Sequence, residues 1–164
     1  MTALKLVPES DQPSCRVYLV GDRILILLAF TDGLGNGYAK RVDLPCPPQE
    51  IGAAVLETLE HCGDPWRPAG DPPYDVVLAG EKNLLAYHKK TSSVSVTWFK
   101  KPHQAGRLTW VPGICVDAWQ RLRRAGSFTG TDIPEVQGVP PTDIERIGRE
   151  VLAMFHEIRE RYVG

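Results

Sequence analysis

The sequence predicts a single α+β domain in which amphipathic helices pack on a mostly antiparallel sheet. Three observations support this prediction. The chain has 164 residues and a hydrophobic share of 43%, which suits one domain with one core. Short apolar runs are separated by dipeptides that are typical of hairpin turns, which indicates neighbouring antiparallel strands. Two longer segments carry apolar residues at steps of three and four, which is the spacing of an amphipathic helix.

The N-terminal part of the chain predicts an arm followed by a hairpin. Residues 1–14 are polar and contain proline, so we expect a flexible N-terminal arm, with residues 15–164 forming the single domain. Cys15–Val20 and Arg23–Phe30 then have the composition of strands, and Gly21-Asp22 between them has the length and chemistry of a tight turn. The second strand is apolar almost throughout, which predicts that both of its faces are covered.

The glycine-rich segment Thr31–Gly37 raises the question of phosphate binding. Its spacing is G-x-G-x-G, whereas the dinucleotide fingerprint is G-x-G-x-x-G at the start of a helix. The residues that follow, YAKRVDL, are typical of another strand rather than a helix. We therefore interpret the segment as a hairpin turn.

The segment Leu44–Gly63 predicts the first helix. Pro47 or Pro48 suits the first turn of a helix, Glu50 favours its positive end, and Gly63 is a natural stop. The apolar positions follow helical spacing. They are Ile51, Val55, Leu59 and Cys62.

A similar arrangement of Pro-Pro and an amphipathic helix recurs in Gly138–Ile158. Thr142 or Asp143 can cap this final helix. We interpret the similarity as repeated helix-start chemistry rather than internal duplication, because the match is shorter than the repeat units of known repeat folds. The apolar stripe of the final helix consists of Ile144, Ile147, Val151, Phe155, Ile158 and Tyr162.

The middle of the chain predicts a loop, a set of strands and a short helix. Residues 63–75 are dense in proline and glycine, which indicates a loop. The predicted strands are Val76–Gly80, Leu84–Lys90, Ser93–Lys100 and Arg107–Val116. The spacing of the third places Val94, Val96 and Trp98 on one face. Asp117–Gly126 is predicted as a short helix that Asp117 caps and Gly126 ends, and residues 127–141 as another loop.

Composition limits the classes of function and the compartment. With 19 basic and 20 acidic residues the net charge is −1, so no strong field favours nucleic acid or an anionic membrane. None of the four cysteines forms a C-x-x-C pair, the first residues do not resemble a signal peptide, and the longest apolar run is too short to span a bilayer. We expect a cytoplasmic protein with free thiols, no membrane association, no metal and no cofactor.

Candidate catalytic and metal-binding groups do not form a recognised pattern. His61 and Cys62 are adjacent, so they project roughly 100° apart on a helix and do not share one ligand face. The segment HEIRE fails the zinc-protease pattern H-E-x-x-H because its last position is Glu160. We therefore predict a non-enzyme with no catalytic residue. A small hydrolase or transferase that uses a cysteine or histidine remains the alternative, since such sites are recognised by geometry.

A second alternative is a domain that binds single-stranded nucleic acid. Basic residues flank an aromatic pair, which is an arrangement that can follow a phosphate backbone and stack bases. However, Trp98 shares its face with two valines, which favours a core position, and we expect no direct nucleic-acid binding. The residues concerned are Lys89, Lys90, Trp98, Phe99, Lys100 and Lys101.

Two loops are candidates for contact with a protein partner, and the alternative for both is an ordinary surface loop. The proline-rich loop contains aromatic residues surrounded by acids, and tryptophan is enriched at the centres of protein interfaces. The acidic loop TDIPEV is the second candidate. The predicted partner-binding residues are Trp66, Asp71, Tyr74, Asp75, Asp132 and Glu135.

The segment LPCPPQEIGAAVLETLEHC resembles immunity proteins of bacterial contact-dependent growth inhibition systems. Those proteins have a strand, a short proline-containing or acidic stretch, and then the pattern E-I-G-x-A-[VL]-x-x-x-L, which here is matched by Glu50, Ile51, Gly52, Ala54, Val55 and Leu59. The resemblance implies a cytoplasmic, non-catalytic protein that binds the C-terminal toxin domain, often a nuclease, delivered by a sibling cell. It also implies a structural role for the helix, with Gly52 allowing close packing on a strand. It supplies no catalytic or toxin-contact residue.

Overall fold

The computed structural model describes residues 12–28, 39–62, 79–82, 91–121 and 128–162. It confirms the predicted α+β class, with nine strands and two helices in the described ranges. In chain order they are β1 (Ser14–Val20), β2 (Arg23–Leu28), β3 (Ala39–Asp43), α1 (Pro48–Glu60), β4 (Thr91–Phe99), β5 (His103–Ala105), β6 (Leu108–Trp110), β7 (Gly113–Arg121), β8 (Phe128–Gly130), β9 (Val136–Val139) and α2 (Ile144–Tyr162).

The strands form one large sheet and one small one. The large sheet has the order β3-β2-β1-β4-β7, and both β8 and β9 pair with β7. Every described pairing is antiparallel. The small sheet contains only β5 and β6, which lie between β4 and β7 in the sequence but pair with each other. This hairpin therefore stands apart from the ladder that holds the rest of the strands.

The predicted turn between the first two strands is confirmed. Val20 pairs with Arg23, so Gly21 and Asp22 form a two-residue connection. Gly21 has a φ of 64°, and no residue other than glycine has a positive φ in the described part of the chain. A positive φ at the first central position alone is the pattern of a type II′ turn, whose twist matches that of the flanking strands.

The main core lies between the sheet and the two helices. Inward-facing residues of five strands, such as Val17 and Val94, meet the apolar stripes of α1 and α2. Ile24, Leu25 and Ile26 are all fully buried, although neighbouring strand residues point to opposite faces. Leu25 belongs to a second cluster with Val20 and Ala79. The prediction that both faces of β2 are covered is therefore confirmed.

The two helices are in contact through their first turns. A Cβ atom on Gly52 would overlap the backbone carbonyl oxygen of Ile144, and one on Gly148 would overlap that of Pro48. Each glycine is therefore the fifth residue of its helix and packs on the first residue of the other. The expectation that Gly52 packs closely on a strand is wrong, because its neighbour is the backbone of α2. The two similar Pro-Pro segments thus meet in a reciprocal helix crossing.

The predicted helix starts are confirmed. Pro47 precedes α1 and Pro48 is its first residue, a position where proline's missing N–H is not required. At the start of α2, the backbone N–H of Arg146 donates to Asp143 Oδ1 at 3.2 Å. Asp143 is therefore the N-cap, in preference to Thr142.

Two predictions in the second half of the chain are wrong. The predicted helix Asp117–Gly126 begins within β7, which continues to Arg121 and pairs with β4. The local residues favour a helix. However, Val116 and Ala118, which are two positions apart, are both buried in the core, as they would be on one face of a strand. This burial outweighs the local helix propensity. The predicted loop at residues 127–141 contains β8 and β9, both of which extend the sheet along β7.

Several predicted segments lie wholly or partly outside the described residues. The glycine-rich turn, the proline-rich loop, the strand Leu84–Lys90 and most of the N-terminal arm are among them. Of the predicted strand Val76–Gly80, only Ala79 and Gly80 are described, and they lie in a helical turn rather than a strand. Within the described ranges, neither helix is long and apolar enough to cross a membrane.

Candidate protein-interaction surface

The β5–β6 hairpin is the most exposed structured part of the described chain. Ala105 pairs with Leu108, so Gly106 and Arg107 form a two-residue turn, and Gly106 has a φ of 60°. All six residues from Gln104 to Thr109 are exposed. The hairpin is tight at its tip and is in contact with solvent around that tip.

Two large apolar side chains are exposed at this hairpin. Leu108 in β6 retains 62% of its surface and Val111, which follows β6, retains 53%. These are the largest exposures of any large hydrophobic residue in the described ranges. Single exposed apolar residues are common on soluble proteins, but Leu108 lies next to an exposed turn in a hairpin outside the large sheet, which makes it a candidate contact residue.

The charge of the hairpin differs from that of the chain as a whole. Residues 100–112 contain Lys100, Lys101 and Arg107 and no acidic residue, whereas the whole chain has a net charge of −1. Lys100 lies over the ring of Trp98, 4.9 Å from the ring centre. The charged side chains that this segment itself contributes are therefore all basic, on a nearly neutral protein.

An aromatic cluster holds the base of the hairpin. Phe99, at the end of β4, stacks on Trp110 with ring centres 5.5 Å apart and on His103 with ring centres 5.8 Å apart. His103 and Trp110 are also close, at 5.4 Å. Gln12 Nε2 donates a hydrogen bond of 2.8 Å to His103 Nδ1. An isolated two-stranded hairpin is only marginally stable in water, so this cluster is needed to fix it.

Glu135 connects the hairpin to the main sheet. Its Oε2 accepts from Trp110 Nε1 at 3.3 Å and from the Cys115 thiol at 3.4 Å, and its Oε1 accepts from Gln137 Nε2 at 2.6 Å. The carboxylate is therefore hydrogen-bonded to side chains of three strands, β6, β7 and β9. Hydrogen bonds to a charged acceptor are stronger than neutral ones, which makes this an effective anchor.

The Gln137 side chain bonds the backbone at the edge of β6 that does not pair with β5, as a neighbouring strand would. Its Nε2 donates to the backbone oxygen of Thr109 at 3.2 Å, and its Oε1 accepts from the backbone N–H of Val111 at 3.2 Å. Because the amide satisfies both backbone groups, it replaces two ladder bonds at that edge. Together with Glu135 and the aromatic cluster, it makes the hairpin a fixed platform.

The predicted partner-binding residues have different outcomes. Trp66, Asp71, Tyr74 and Asp75 lie outside the described residues, and their role stays a prediction. Glu135 is partly buried and engaged in the hydrogen bonds described above.

Asp132 is exposed and accepts a hydrogen bond from the Tyr162 hydroxyl, which lowers the pKa of the carboxyl. Its backbone N–H donates to the same hydroxyl at 3.2 Å, and Arg161 lies 3.8 Å from Oδ1. These contacts join the loop between β8 and β9 to the end of α2. Its binding role also stays a prediction.

Three of the four cysteines lie in surroundings that disfavour the thiolate. Burial raises the pKa of the Cys15 thiol, and burial together with the nearby Glu135 carboxylate raises the pKa of Cys115. Desolvation and Glu50 raise the pKa of Cys46. Within the described ranges, no group of three or more potential ligands could hold a metal ion. On α2, Glu157 pairs with Arg161 at 3.1 Å.

The sequence interpretation did not identify the hairpin. It treated Arg107–Val116 as one strand, although Pro112 lacks the N–H that a central strand needs. The segment QAGRLT also has a glycine between two strand-like runs, which is a hairpin signal. These two features together were sufficient to place a turn at Gly106-Arg107 and a break at Pro112.

Two solved structures share this fold. One is a protein of unknown function, NMB0488, from Neisseria meningitidis, with 13% identity and a TM-score of 0.62 over 92% of this chain and 96% of that chain. The other is a chain of the CdiA-CT/CdiI toxin and immunity complex from Yersinia pseudotuberculosis, with 15% identity and a TM-score of 0.55 over 87% of this chain and 97% of that chain. No family model and no curated protein sequence matches the chain. At these identities the likeness establishes the fold.

Proposed function

We propose that the chain is an immunity protein that binds the C-terminal domain of a cognate toxin and neutralises it stoichiometrically. The observation that carries the proposal is the fold likeness to a chain of a toxin and immunity complex over 87% of this chain. A chain of such a complex is either the toxin or its inhibitor. The resemblance of the α1 segment to contact-dependent growth inhibition immunity proteins favours the inhibitor.

The surroundings of three of the four cysteines argue against a thiol nucleophile at those positions. A cysteine nucleophile acts as the thiolate and usually has a lowered pKa, near a positive charge. Here the pKa values of Cys15, Cys46 and Cys115 are all raised, and the charged groups beside Cys46 and Cys115 are carboxylates. The rival hydrolase or transferase that depends on these thiols is therefore disfavoured.

Neutralisation by binding requires a surface that keeps its shape before the partner arrives. Association costs translational, rotational and side-chain freedom, and a fixed surface reduces the last of these costs. The β5–β6 hairpin meets this requirement, because its edge, base and tip are held by hydrogen bonds and stacked rings. The proposed protein would act in the cytoplasm, where an incoming toxin domain has to be captured.

The proposal is tested by growth in a laboratory bacterial host. The proposal predicts a large secreted effector encoded directly upstream of this chain, and its C-terminal domain is the toxin to be tested. We expect that the toxin domain alone arrests growth, that coexpression of this chain restores it, and that the two chains copurify. The chain alone should not affect growth.

Three results would contradict the proposal. One is growth arrest that persists when the two chains are coexpressed at equal levels. Another is growth arrest caused by this chain alone, which would favour a toxin instead. The third is a genomic neighbourhood with no effector reading frame.

A further inference from the structure

We propose that the β5–β6 hairpin is the docking element of this protein, and that its tip binds an apolar pocket bordered by carboxylates on the toxin domain. This inference rests on the proposed immunity function. It adds the contact surface and the chemistry of the partner, neither of which follows from the fold likeness.

The apolar component comes from Leu108 and Val111. Leu108 is 62% exposed and Val111 is 53% exposed, although the Val111 side chain also lies beside Gly138. Moving such a side chain from water into an apolar pocket contributes favourably to binding, and a few such anchors carry most of the energy of an interface. The pocket on the partner must therefore be apolar at its centre.

The charged component comes from Lys100, Lys101 and Arg107. Residues 100–112 contain these three basic residues and no acidic one, while the Glu135 carboxylate bonds Trp110 at the base of the hairpin; Arg107, at the turn, is the basic residue next to Leu108. Charge complementarity across an interface accelerates association and rejects partners of the wrong sign. Arg107 lies at the turn beside Leu108, so a carboxylate that accepts from Arg107 has to lie at the border of the pocket.

The structural support under the hairpin indicates that its shape matters. Glu135 and Gln137 make four side-chain hydrogen bonds to Trp110, Thr109, Val111 and Cys115, and Phe99 stacks on the base. The large sheet is complete without β5 and β6, since neither strand pairs with it. Support of this extent for an element outside the sheet is consistent with a surface that is preorganised for binding.

A protein partner fits the hairpin better than nucleic acid does. Proteins that bind single strands present exposed aromatic rings on which bases stack. In the hairpin the rings of Phe99, His103 and Trp110 stack on one another at its base, and the exposed apolar residues are aliphatic. A second copy of the chain fits less well, because two basic hairpins facing each other across a twofold axis would repel.

The test measures the affinity of the purified chain for the C-terminal domain of the effector encoded upstream. The disruptive variants are Leu108→Asp and Arg107→Glu, and their conservative counterparts are Leu108→Met and Arg107→Lys. Arg41→Glu is the charge control, because Arg41 is exposed on β3 at the opposite end of the sheet. Thermal unfolding of each variant checks that the fold survives.

We expect each disruptive variant to raise the Kd by roughly tenfold or more, as loss of an interface anchor does. The conservative variants and Arg41→Glu should bind within about threefold of the wild type, a difference below that of an anchor. Arg107→Glu should also reduce the dependence of the association rate on salt.

Contrary outcomes separate this inference from the proposed function. If the wild type binds the toxin domain tightly and both disruptive variants bind equally well, the hairpin is not the docking element and the immunity function stands. If the wild type does not bind the toxin domain, the function itself fails. Binding of a single-stranded oligonucleotide that Arg107→Glu abolishes, or a dimer that Leu108→Asp dissociates, would also overturn the docking proposal.

Discussion

At the scale of single residues, Glu135 shows what a sequence pattern can and cannot indicate. Its position in an acidic loop predicted a partner-binding carboxylate, and the structure shows it bonded to Trp110, Cys115 and Gln137. Trp110 and Cys115 lie 25 and 20 positions away in the sequence, so no local pattern could have revealed these two partners. The N-cap role of Asp143 was predictable, because capping depends only on residues three positions apart.

Thiol reactivity tests the absence of a cysteine nucleophile. Because the pKa values of Cys15 and Cys115 are raised and both residues are buried, the thiolate form is scarce and inaccessible at neutral pH. We expect these two cysteines to resist iodoacetamide in the folded protein at pH 8 and all four to react after unfolding. Mass spectrometry of peptides identifies the sites. Rapid alkylation of Cys15 or Cys115 in the folded protein would favour the enzyme alternative.

At the scale of elements, prediction succeeded where the pattern and the burial agree. Prediction succeeded for β1, β2, β3, β4 and both helices. In these elements the spacing of the apolar residues matches the residues that pack in or against the core. The predicted helix at Asp117–Gly126 failed because good helix formers occupy a segment that pairs with β4. Such pairing joins residues far apart in the chain, and a local propensity contains no information about it.

The reciprocal glycine crossing gives a stability test at this scale. In an open helix, changing glycine to alanine stabilises by about 1 kcal/mol. At Gly52 and Gly148 the added methyl would overlap a carbonyl oxygen of the other helix, so we expect each alanine variant to lower the free energy of unfolding by about 1–3 kcal/mol. Urea unfolding measures the change.

Gly130→Ala is the control for the glycine variants. Nothing lies within 4 Å of a Cβ atom at Gly130, so the free energy of unfolding should change by no more than about 0.5 kcal/mol. Unaltered or increased stability of both Gly52→Ala and Gly148→Ala would show that the helices do not cross in this way.

At the scale of the whole molecule, the α+β class and the antiparallel sheet were predictable, and the docking surface was not. The class follows from periodicity and turn chemistry, which are local. The hairpin surface depends on which strands leave the large sheet and on what supports them, and those are properties of the assembled fold. The exposed apolar residues and the basic residues can be assigned to one surface only once the hairpin is known to lie outside the large sheet.

The central claim is that this protein inhibits by forming a tight stoichiometric complex. Calorimetric titration of the purified chain with the C-terminal domain of the upstream effector tests it most directly. The account predicts one-to-one binding with a Kd of about 10 nM or below, since a standard interface of about 1,600 Å² with well-packed anchors reaches that range. No measurable binding at micromolar concentrations, with both proteins folded, would contradict the account.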